Sequence, residues 1–301
     1  MNVLVFSGAM TEQDFATFQN EAKIKPNPSN QNFYSKLIKC IALRNNVSVI
    51  SHRPFAKGMT KDKYLESDIV TEGNVRYFYT YREVSKVYKL LREQNEIIKN
   101  AHRAIEEFHS NDFIIVVDTL RLSLLKAAKK VAAEYDVKIV GMLTDTPDNL
   151  SSVLKSYVLH VKRAVRSLDG YLALTDGLVQ VFNGYKPSYV FEGLVDSPDV
   201  FKKDPIYDYY FFAGSLYERY GVKTLVDAFH ESNIKSKLVI AGAGPLAKYI
   251  EHLSYDDYRI LYLPQLSRDK ILGYERNAIV NINPRPLDPK LDNESVPSKL
   301  I

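Results

Sequence analysis

A glycine-rich motif in the last third of the sequence has the spacing of a phosphate-binding turn. Gly242 and Gly244 follow the apolar run at 238–241 and satisfy the pattern G-x-G-x-x-A. In a strand-turn-helix unit, such glycines let backbone N–H groups and a helix N-terminus approach a diphosphate. Three interpretations are open: a nicotinamide or flavin site, a different phosphate ligand, and a tight turn that starts a helix at Pro245.

Two features of the sequence weigh against NAD. A nicotinamide-binding fold has an acidic residue about 20 residues after the motif, at the end of the next strand. Here the predicted strand at 260–263 ends in Pro264 and Gln265. The motif also follows the second predicted strand of its domain, whereas the dinucleotide fingerprint belongs to the first. A different phosphate ligand is therefore the favoured interpretation.

Two carboxylates stand at the ends of apolar runs nearer the N-terminus. Asp118 follows the run at 113–117, and Asp145 follows the run at 140–143. Ligands of open α/β sheets bind outside the carboxyl ends of the strands, where a carboxylate can orient or deprotonate a hydroxyl group. The alternative for Asp118 is structural, because it could instead cap the helix predicted from Leu122 onward.

Histidine and cysteine show no metal-ligating pattern in the sequence. Histidine stands at neither of these two strand ends, and His102 and His109, which share a predicted helix, have no carboxylates at ligand spacing. We therefore expect no metal site. The one cysteine, Cys40, lies in the apolar pattern formed with Leu37 and Ile38, which predicts a buried thiol.

Composition is that of a globular protein. The 301 residues are 46% hydrophobic and 25% charged, and the length suggests two domains. The sequence has no run long enough to span a membrane and no signal peptide, which indicates a cytoplasmic protein. Residues up to Val195 carry 26 Lys and Arg against 21 Asp and Glu, a net charge of +5, and the remainder carries −1.

The basic half raises the question of an anionic partner. Its densest stretch, 82–103, interleaves acidic residues among the basic ones, which favours the solvated face of a helix. Contact with phospholipid headgroups is the open alternative, and it predicts a protein at the inner face of the membrane. Nucleic acid is not expected as a partner.

Predicted strands and helices alternate along the chain, which indicates parallel sheets covered by helices. Residues 9–29 are predicted as a loop, 51–74 as irregular, and 84–108 as one long helix. The segment at 194–208 is rich in Pro and Asp and is predicted as a linker. The predicted strands are 2–7, 47–50, 77–81, 113–117, 137–143, 170–175 and 189–191 before the linker, and 209–213, 238–241, 260–263 and 278–282 after it.

Four motifs in the second half occur together and in order: 212–229, 238–246, 281–285 and 294–301. In this combination the sequence resembles the donor half of retaining GT-B glycosyltransferases of the family 4 type. The resemblance implies an α/β fold of two Rossmann-like, doubly wound domains that face each other across a cleft. It divides the chain into an acceptor-side domain at 1–193, a linker at 194–208 and an incomplete donor-binding domain at 209–301.

The resemblance also assigns roles near the C-terminus. Glu294 matches the first Glu of the family's E-x7-E motif, which contacts the donor sugar. Val296, Ser298 and Lys299 occupy the turn whose amides bind the diphosphate. The second Glu, which would hold the ribose, would stand one position beyond Ile301, so we expect the chain alone to be a poor catalyst.

The family's cations at the first donor-domain turn are replaced here. Ser215, next to Gly214, stands at the position of the family's Arg, and Tyr220 at the position of its Lys. Arg219 and Arg285 are the candidate substitutes, because a guanidinium group suits phosphate oxygens.

The function implied by the resemblance is transfer of a hexose from a nucleotide-diphospho-sugar to a glycan or lipid-linked acceptor, with retention, in polysaccharide biosynthesis. No metal or other cofactor is expected, because amides, a helix dipole and cations would stabilise the leaving diphosphate. A non-catalytic nucleotide-sugar-binding subunit and a GT-B sugar-nucleotide epimerase are the alternatives, and a nicotinamide oxidoreductase is a more distant one.

Overall fold

The computed structural model describes residues 1–26, 28–150, 153–194, 208–266 and 268–286. These residues fall into two compact units, one on each side of the segment predicted as a linker. Most of that segment lies outside the described residues, and each unit is considered by itself.

The described part of the first unit is built around an eight-stranded sheet with the order β10-β9-β8-β7-β1-β2-β5-β4. All neighbouring strands are parallel except β4, which runs antiparallel to β5. A small antiparallel pair, β3 and β6, lies outside it. The strands are β1 (Asn2–Ser7), β2 (Asn46–Ser51), β3 (Tyr64–Leu65), β4 (Asp68–Glu72), β5 (Val75–Tyr79), β6 (Arg82–Glu83), β7 (Phe113–Asp118), β8 (Ile139–Leu143), β9 (Gly170–Ala173) and β10 (Ser188–Val190). The helices are α1 (Glu12–Glu21), α2 (Pro28–Ala42), α3 (Lys86–Leu91), α4 (Glu93–Phe108), α5 (Leu122–Tyr135), α6 (Lys155–Arg166) and α7 (Asp176–Phe182).

The central strands are buried on both faces, as their uninterrupted apolar sequences predict. Val3 to Phe6 of β1 are at most 2% exposed, and helices α4 and α5 pack against the same core. The strand order reverses between β1 and β7, because the chain builds the sheet outward from β1 first to one side and then to the other. Such a switch point leaves a crevice at the carboxyl ends of the two strands.

Four predictions for this unit were wrong. Residues 12–21 of the predicted loop form α1, whose Thr11 cap accepts a hydrogen bond from the Asp14 N–H group. The predicted irregular segment contains β3 and β4, and the predicted long helix is two helices that meet at Arg92. Cys40 is exposed, because it lies about 200° around α2 from the buried Ile38.

The described part of the second unit is a four-stranded parallel sheet with the order β13-β12-β11-β14. Its apolar residues form clusters on both faces, one around Phe212 and Ile240 and one around Phe211 and Val239. The order reverses between β11 and β14. The elements are β11 (Tyr209–Ala213), α8 (Val222–Glu231), β12 (Lys237–Ala241), α9 (Ala247–Asp256), β13 (Ile260–Leu263), α10 (Arg268–Asn277) and β14 (Val280–Asn281).

In neither described unit is a helix long and apolar enough to cross a membrane.

Candidate functional site

The glycine turns that follow β11 and β12 lie against each other at the carboxyl edge of the second sheet. The N–H of Gly214 donates to the carbonyl of Ala241 at 2.9 Å, and the N–H of Leu216 donates to the carbonyl of Ala243 at 3.0 Å. The structure therefore brings Gly214, Gly242 and Gly244 together in one double turn.

Gly242 is required by this packing. Its φ is 149°, a value that side chains other than glycine rarely adopt. A Cβ atom at this position would overlap the carbonyl oxygen of Gly214. The glycine spacing thus has a steric cause within the fold, and it does not by itself indicate a nicotinamide.

Three backbone amides in the double turn make no hydrogen bond within the described residues. Within the described part of the chain, the N–H groups of Ser215, Ala243 and Gly244 donate to no protein group. Ser215 and Ala243 are exposed and Gly244 is partly exposed. Successive backbone N–H groups at the ends of strands can bind anions such as phosphate. Helix α9 begins at Ala247, so the interpretation of Pro245 as the first helical residue was wrong.

Arg285 lies on the segment that follows β14, next to the switch point of this sheet. The N–H of Ile282 donates to the carbonyl of Phe211 at 2.8 Å, which continues the pairing of β14 with β11. The carbonyl of Pro284 rests against Gly221, where a Cβ atom would overlap it. The residue before Arg285 therefore packs against Gly221, which directly precedes α8 and lies two residues after Arg219.

Arg219 is held by aromatic rings. Its guanidinium carbon lies 5.2 Å from the ring centre of Tyr217 and 4.8 Å from that of Tyr220. One guanidinium nitrogen also donates to the Tyr220 hydroxyl at 2.9 Å. Tyr220 thus helps to hold an arginine in place.

The remaining predicted donor residues, Glu294, Val296, Ser298 and Lys299, lie outside the described residues.

In the first unit, Asp118 ends β7 at the switch point of the sheet. Its side chain is 1% exposed, with Oδ2 3.8 Å from Nε of Arg121. Oδ1 accepts a hydrogen bond from the N–H of Leu120 at 3.0 Å. Helix α5 has Arg121 at its N-cap and no side-chain cap, so the capping alternative for Asp118 was wrong.

The environment of Asp118 suits a proton acceptor. Burial raises the pKa of its carboxyl group above the usual value, although Arg121 opposes this shift. A cavity of about 250 Å³ adjoins the carboxylate and is lined also by Gly8, Asn30 and Gln31. The side chains of Tyr34 and Asn30 also interact with the carboxylate and oppose the rise of its pKa. A carboxylate has two acceptor oxygens, so it retains acceptor capacity for a ligand hydroxyl.

Asp145 has a different environment. Its Oδ1 accepts hydrogen bonds from the N–H of Thr146 and from the side-chain amide of Asn149, both at 2.7 Å. These bonds hold the turn after β8 and occupy one carboxylate oxygen. Asp145 is not among the residues that line the cavity beside Asp118.

Sequence reasoning missed His52, which directly follows β2 at the same edge of the sheet. Its Nδ1 lies 2.8 Å from Oγ1 of Thr80, and its Nε2 lies 2.9 Å from Oε1 of Glu93. Burial lowers the pKa of His52 to about 3, so the imidazole is neutral at physiological pH. The sequence did contain an indication of this position, because His52 carries a polar ring directly after the apolar run of β2.

Among the described residues, no group of three or more His, Cys, Asp or Glu side chains is arranged to hold a metal ion.

Comparison with known proteins establishes the fold class. No protein-family model matches the sequence, and the search of curated proteins found no significant match. Solved structures with two such α/β units do match, and they are GT-B glycosyltransferases. The chain therefore has the GT-B fold.

Three of these structures illustrate the match. The lipopolysaccharide outer core galactosyltransferase WaaB has a TM-score of 0.55 at 12% identity, over 93% of this chain and 72% of its own. HepE from Anabaena, solved with UDP, has a TM-score of 0.57 at 12% identity, over 96% and 76%. The UDP-forming α,α-trehalose-phosphate synthase from Burkholderia vietnamiensis has a TM-score of 0.60 at 12% identity, over 93% and 77%.

Proposed function

We propose that this chain is a nucleotide-sugar-dependent glycosyltransferase. The second unit would bind the diphosphate of the donor at its double glycine turn. The single observation that carries the proposal is the set of free amides of Ser215, Ala243 and Gly244 at the carboxyl edge of a Rossmann-like sheet. Amides held in this way stabilise negative charge without reorganising during the reaction, which is what departure of a nucleoside diphosphate requires.

The donor is proposed to be a UDP-hexose. HepE, which shares the fold, has been solved with UDP and with UDP-glucose. Arg285 and Arg219 would replace the cations that the family places at the positions of Ser215 and Tyr220. Glu294 would contact the sugar, and the turn at Val296, Ser298 and Lys299 would add further diphosphate contacts. In this scheme the charge is stabilised by protein groups, and we propose no metal cofactor.

The acceptor hydroxyl is proposed to bind beside Asp118. The cavity there is large enough for part of a sugar ring, and Asp118 is one of the residues that line it. With its raised pKa, this carboxylate is a better proton acceptor than a solvated one. Retention of configuration and a glycan or lipid-linked acceptor are proposed by analogy with the GT-B family 4 type, which also suggests polysaccharide biosynthesis.

A peripheral contact with the inner face of the membrane is also proposed for the first unit. Helix α6 exposes Leu159 to 65%, and Leu154, at its start, is 76% exposed. Lys155 and Arg163 lie exposed on the same helix. Exposed apolar residues flanked by cations are suited to an anionic lipid surface, and such a contact would give access to a lipid-linked acceptor.

Calorimetry with UDP, GDP, ADP and NAD tests the donor site. We expect UDP to bind and NAD not to bind. Arg285→Ala should weaken UDP binding roughly tenfold to a hundredfold, because it removes a charge-assisted contact to phosphate. An Arg285→Ala variant with unchanged UDP affinity would show that this residue does not contact the nucleotide. Binding of NAD alone would contradict the proposal.

Retention is tested by the anomer of the sugar that is released when the chain hydrolyses a UDP-hexose. NMR should detect the donor's own anomer first, before mutarotation. The opposite anomer would show an inverting reaction, and it would not contradict the proposed donor site.

A further inference from the structure

The first unit contains a second and larger cavity beside the one at Asp118. Its volume is about 550 Å³, and Arg121 and Pro54 line both cavities. Among the described residues, four cationic side chains line the larger cavity, together with the carboxylate of Glu93. The cations are Arg82, Lys89, Arg121 and Lys126.

Arg82 lines this cavity and is held in place by protein contacts. Its side chain is 9% exposed and lies 3.7 Å from the Glu93 carboxylate. One guanidinium nitrogen donates to the carbonyl of Arg53 at 2.7 Å. Among the described residues, its Nε has no acceptor although it is buried. A buried charged donor without an acceptor is costly unless a ligand supplies one.

Arg121 connects the two cavities. Its Nη1 donates to the carbonyl of His52 at 2.6 Å, which holds the guanidinium across the end of β1. Gly8 makes this position possible, because a Cβ atom there would lie 2.6 Å from Nη1. The same guanidinium lies near Asp118. A ligand that contacts Arg121 in the larger cavity is therefore adjacent to the proposed catalytic carboxylate.

The protein leaves positive charge in this cavity unbalanced. Glu93 bonds to His52 and lies near both Arg82 and Lys89. The Asp118 carboxylate lies near Arg121, so among the described residues two carboxylates face four cations. Lys126 of α5 is exposed at the cavity and pairs with no acidic side chain in the part of the chain that the structure describes. Cations gathered in a concave site attract and orient an anionic ligand.

We propose that this cavity binds a phosphate group of the acceptor. This inference rests on the proposed function and narrows its acceptor to a phosphate-bearing molecule. The planar guanidinium groups of Arg82 and Arg121 match phosphate oxygens, and Lys126 adds a point charge. With its phosphate in this cavity, the acceptor extends past Arg121 and presents a hydroxyl to Asp118. The phosphate belongs either to a soluble sugar phosphate or to a lipid headgroup.

Titrations with two probes test the site and separate these sources. Glycerol 3-phosphate represents a soluble phosphate, with glycerol as its neutral control, and vesicles of phosphatidylglycerol represent a lipid. Both are measured with saturating UDP, so that the double glycine turn of the second unit is occupied. The variants are Lys126→Ala and Arg82→Gln. Lys130→Ala is the matched control, because Lys130 is exposed one turn further along α5 and outside the cavity.

We expect glycerol 3-phosphate to bind and glycerol not to bind. Lys126→Ala should weaken binding about three- to tenfold and Arg82→Gln more, while Lys130→Ala leaves it unchanged. Binding to vesicles alone, reduced by the same two variants, would support the site and assign it to a lipid headgroup. Failure of both probes, or binding that Lys126→Ala does not change, would overturn the proposal.

The UDP titration keeps this result separate from the proposed function. Lys126→Ala should leave UDP affinity unchanged, because Lys126 lies in the first unit. Phosphate binding without UDP binding would refute the glycosyltransferase proposal but not the phosphate site. UDP binding without phosphate binding would refute the phosphate site but not the glycosyltransferase proposal.

Discussion

Substitution of Gly242 by alanine should disrupt the double glycine turn of the second unit. A residue with a side chain at φ 149° is strained by about 1–3 kcal/mol. The added Cβ would also meet the backbone of Gly214, which is held by its hydrogen bond to Ala241. Loss of that bond adds about 1 kcal/mol. We therefore expect the free energy of unfolding to fall by about 2–4 kcal/mol.

Gly273→Ala is the matched control in the same unit. Gly273 lies within α10, and a Cβ atom there would meet no other atom of the described residues within 4 Å. Alanine should stabilise that helix by about 0.4–1 kcal/mol. The two variants are compared by urea unfolding followed by circular dichroism, and by calorimetry with UDP.

The two variants should also differ in their affinity for UDP. Gly242→Ala displaces the amides of Ala243 and Gly244, so UDP affinity should fall at least about tenfold, as for loss of one charge-assisted bond. Gly273→Ala should bind UDP normally. A Gly242→Ala protein with the stability and UDP affinity of the parent would refute the steric account of the turn.

Three further predictions concern the first unit. Asp118→Asn should slow sugar transfer about 100-fold or more by removing the proton acceptor, whereas UDP affinity measured by calorimetry stays constant. An equally active Asp118→Asn variant would exclude Asp118 as the base. The pKa of His52 is about 3 when folded, against 6.5 for a free side chain. Its contribution to stability is therefore complete above pH 6.5 and is lost as the pH falls towards 3, at up to about 1.4 kcal/mol per pH unit. His52→Gln should flatten the fall in urea stability between about pH 6.5 and 5, and an unchanged slope would contradict this assignment. Leu159→Asp should weaken sedimentation with phosphatidylglycerol vesicles, whereas Leu43→Asp should not, although Leu43 is 82% exposed. An equal loss of vesicle binding in both variants would argue against α6 as the membrane contact.

Much of the fold could be predicted from the sequence, because buried parallel strands are continuous apolar runs. The run at 113–117 is an example, and the structure extends it to Asp118 as β7. Helix α1 could not be predicted in this way. Phe15 and Phe18 are its buried residues, and two apolar positions in a polar segment give little periodicity. Its packing against the core decides its structure.

The candidate site was predictable where it depends on local backbone. The glycine spacing predicted a turn at Gly242 and Gly244, because the steric requirement at Gly242 restricts the residue type at that position. His52 and Arg121 were missed because their roles depend on distant partners. His52 contacts Glu93, which is 41 residues away, and Arg121 bonds to His52 from 69 residues away. Long-range pairs of this kind leave no spacing that a single sequence can reveal.

The central claim is that the amides of the double glycine turn bind the diphosphate of a nucleotide sugar. Hydrogen exchange of the whole chain, measured residue by residue with UDP and separately with NAD, tests it most directly. UDP should slow exchange at the N–H groups of Ser215, Ala243 and Gly244, which donate to no protein group among the described residues, and NAD should not. UDP binding without protection at these three amides, or protection by NAD instead, would contradict the account.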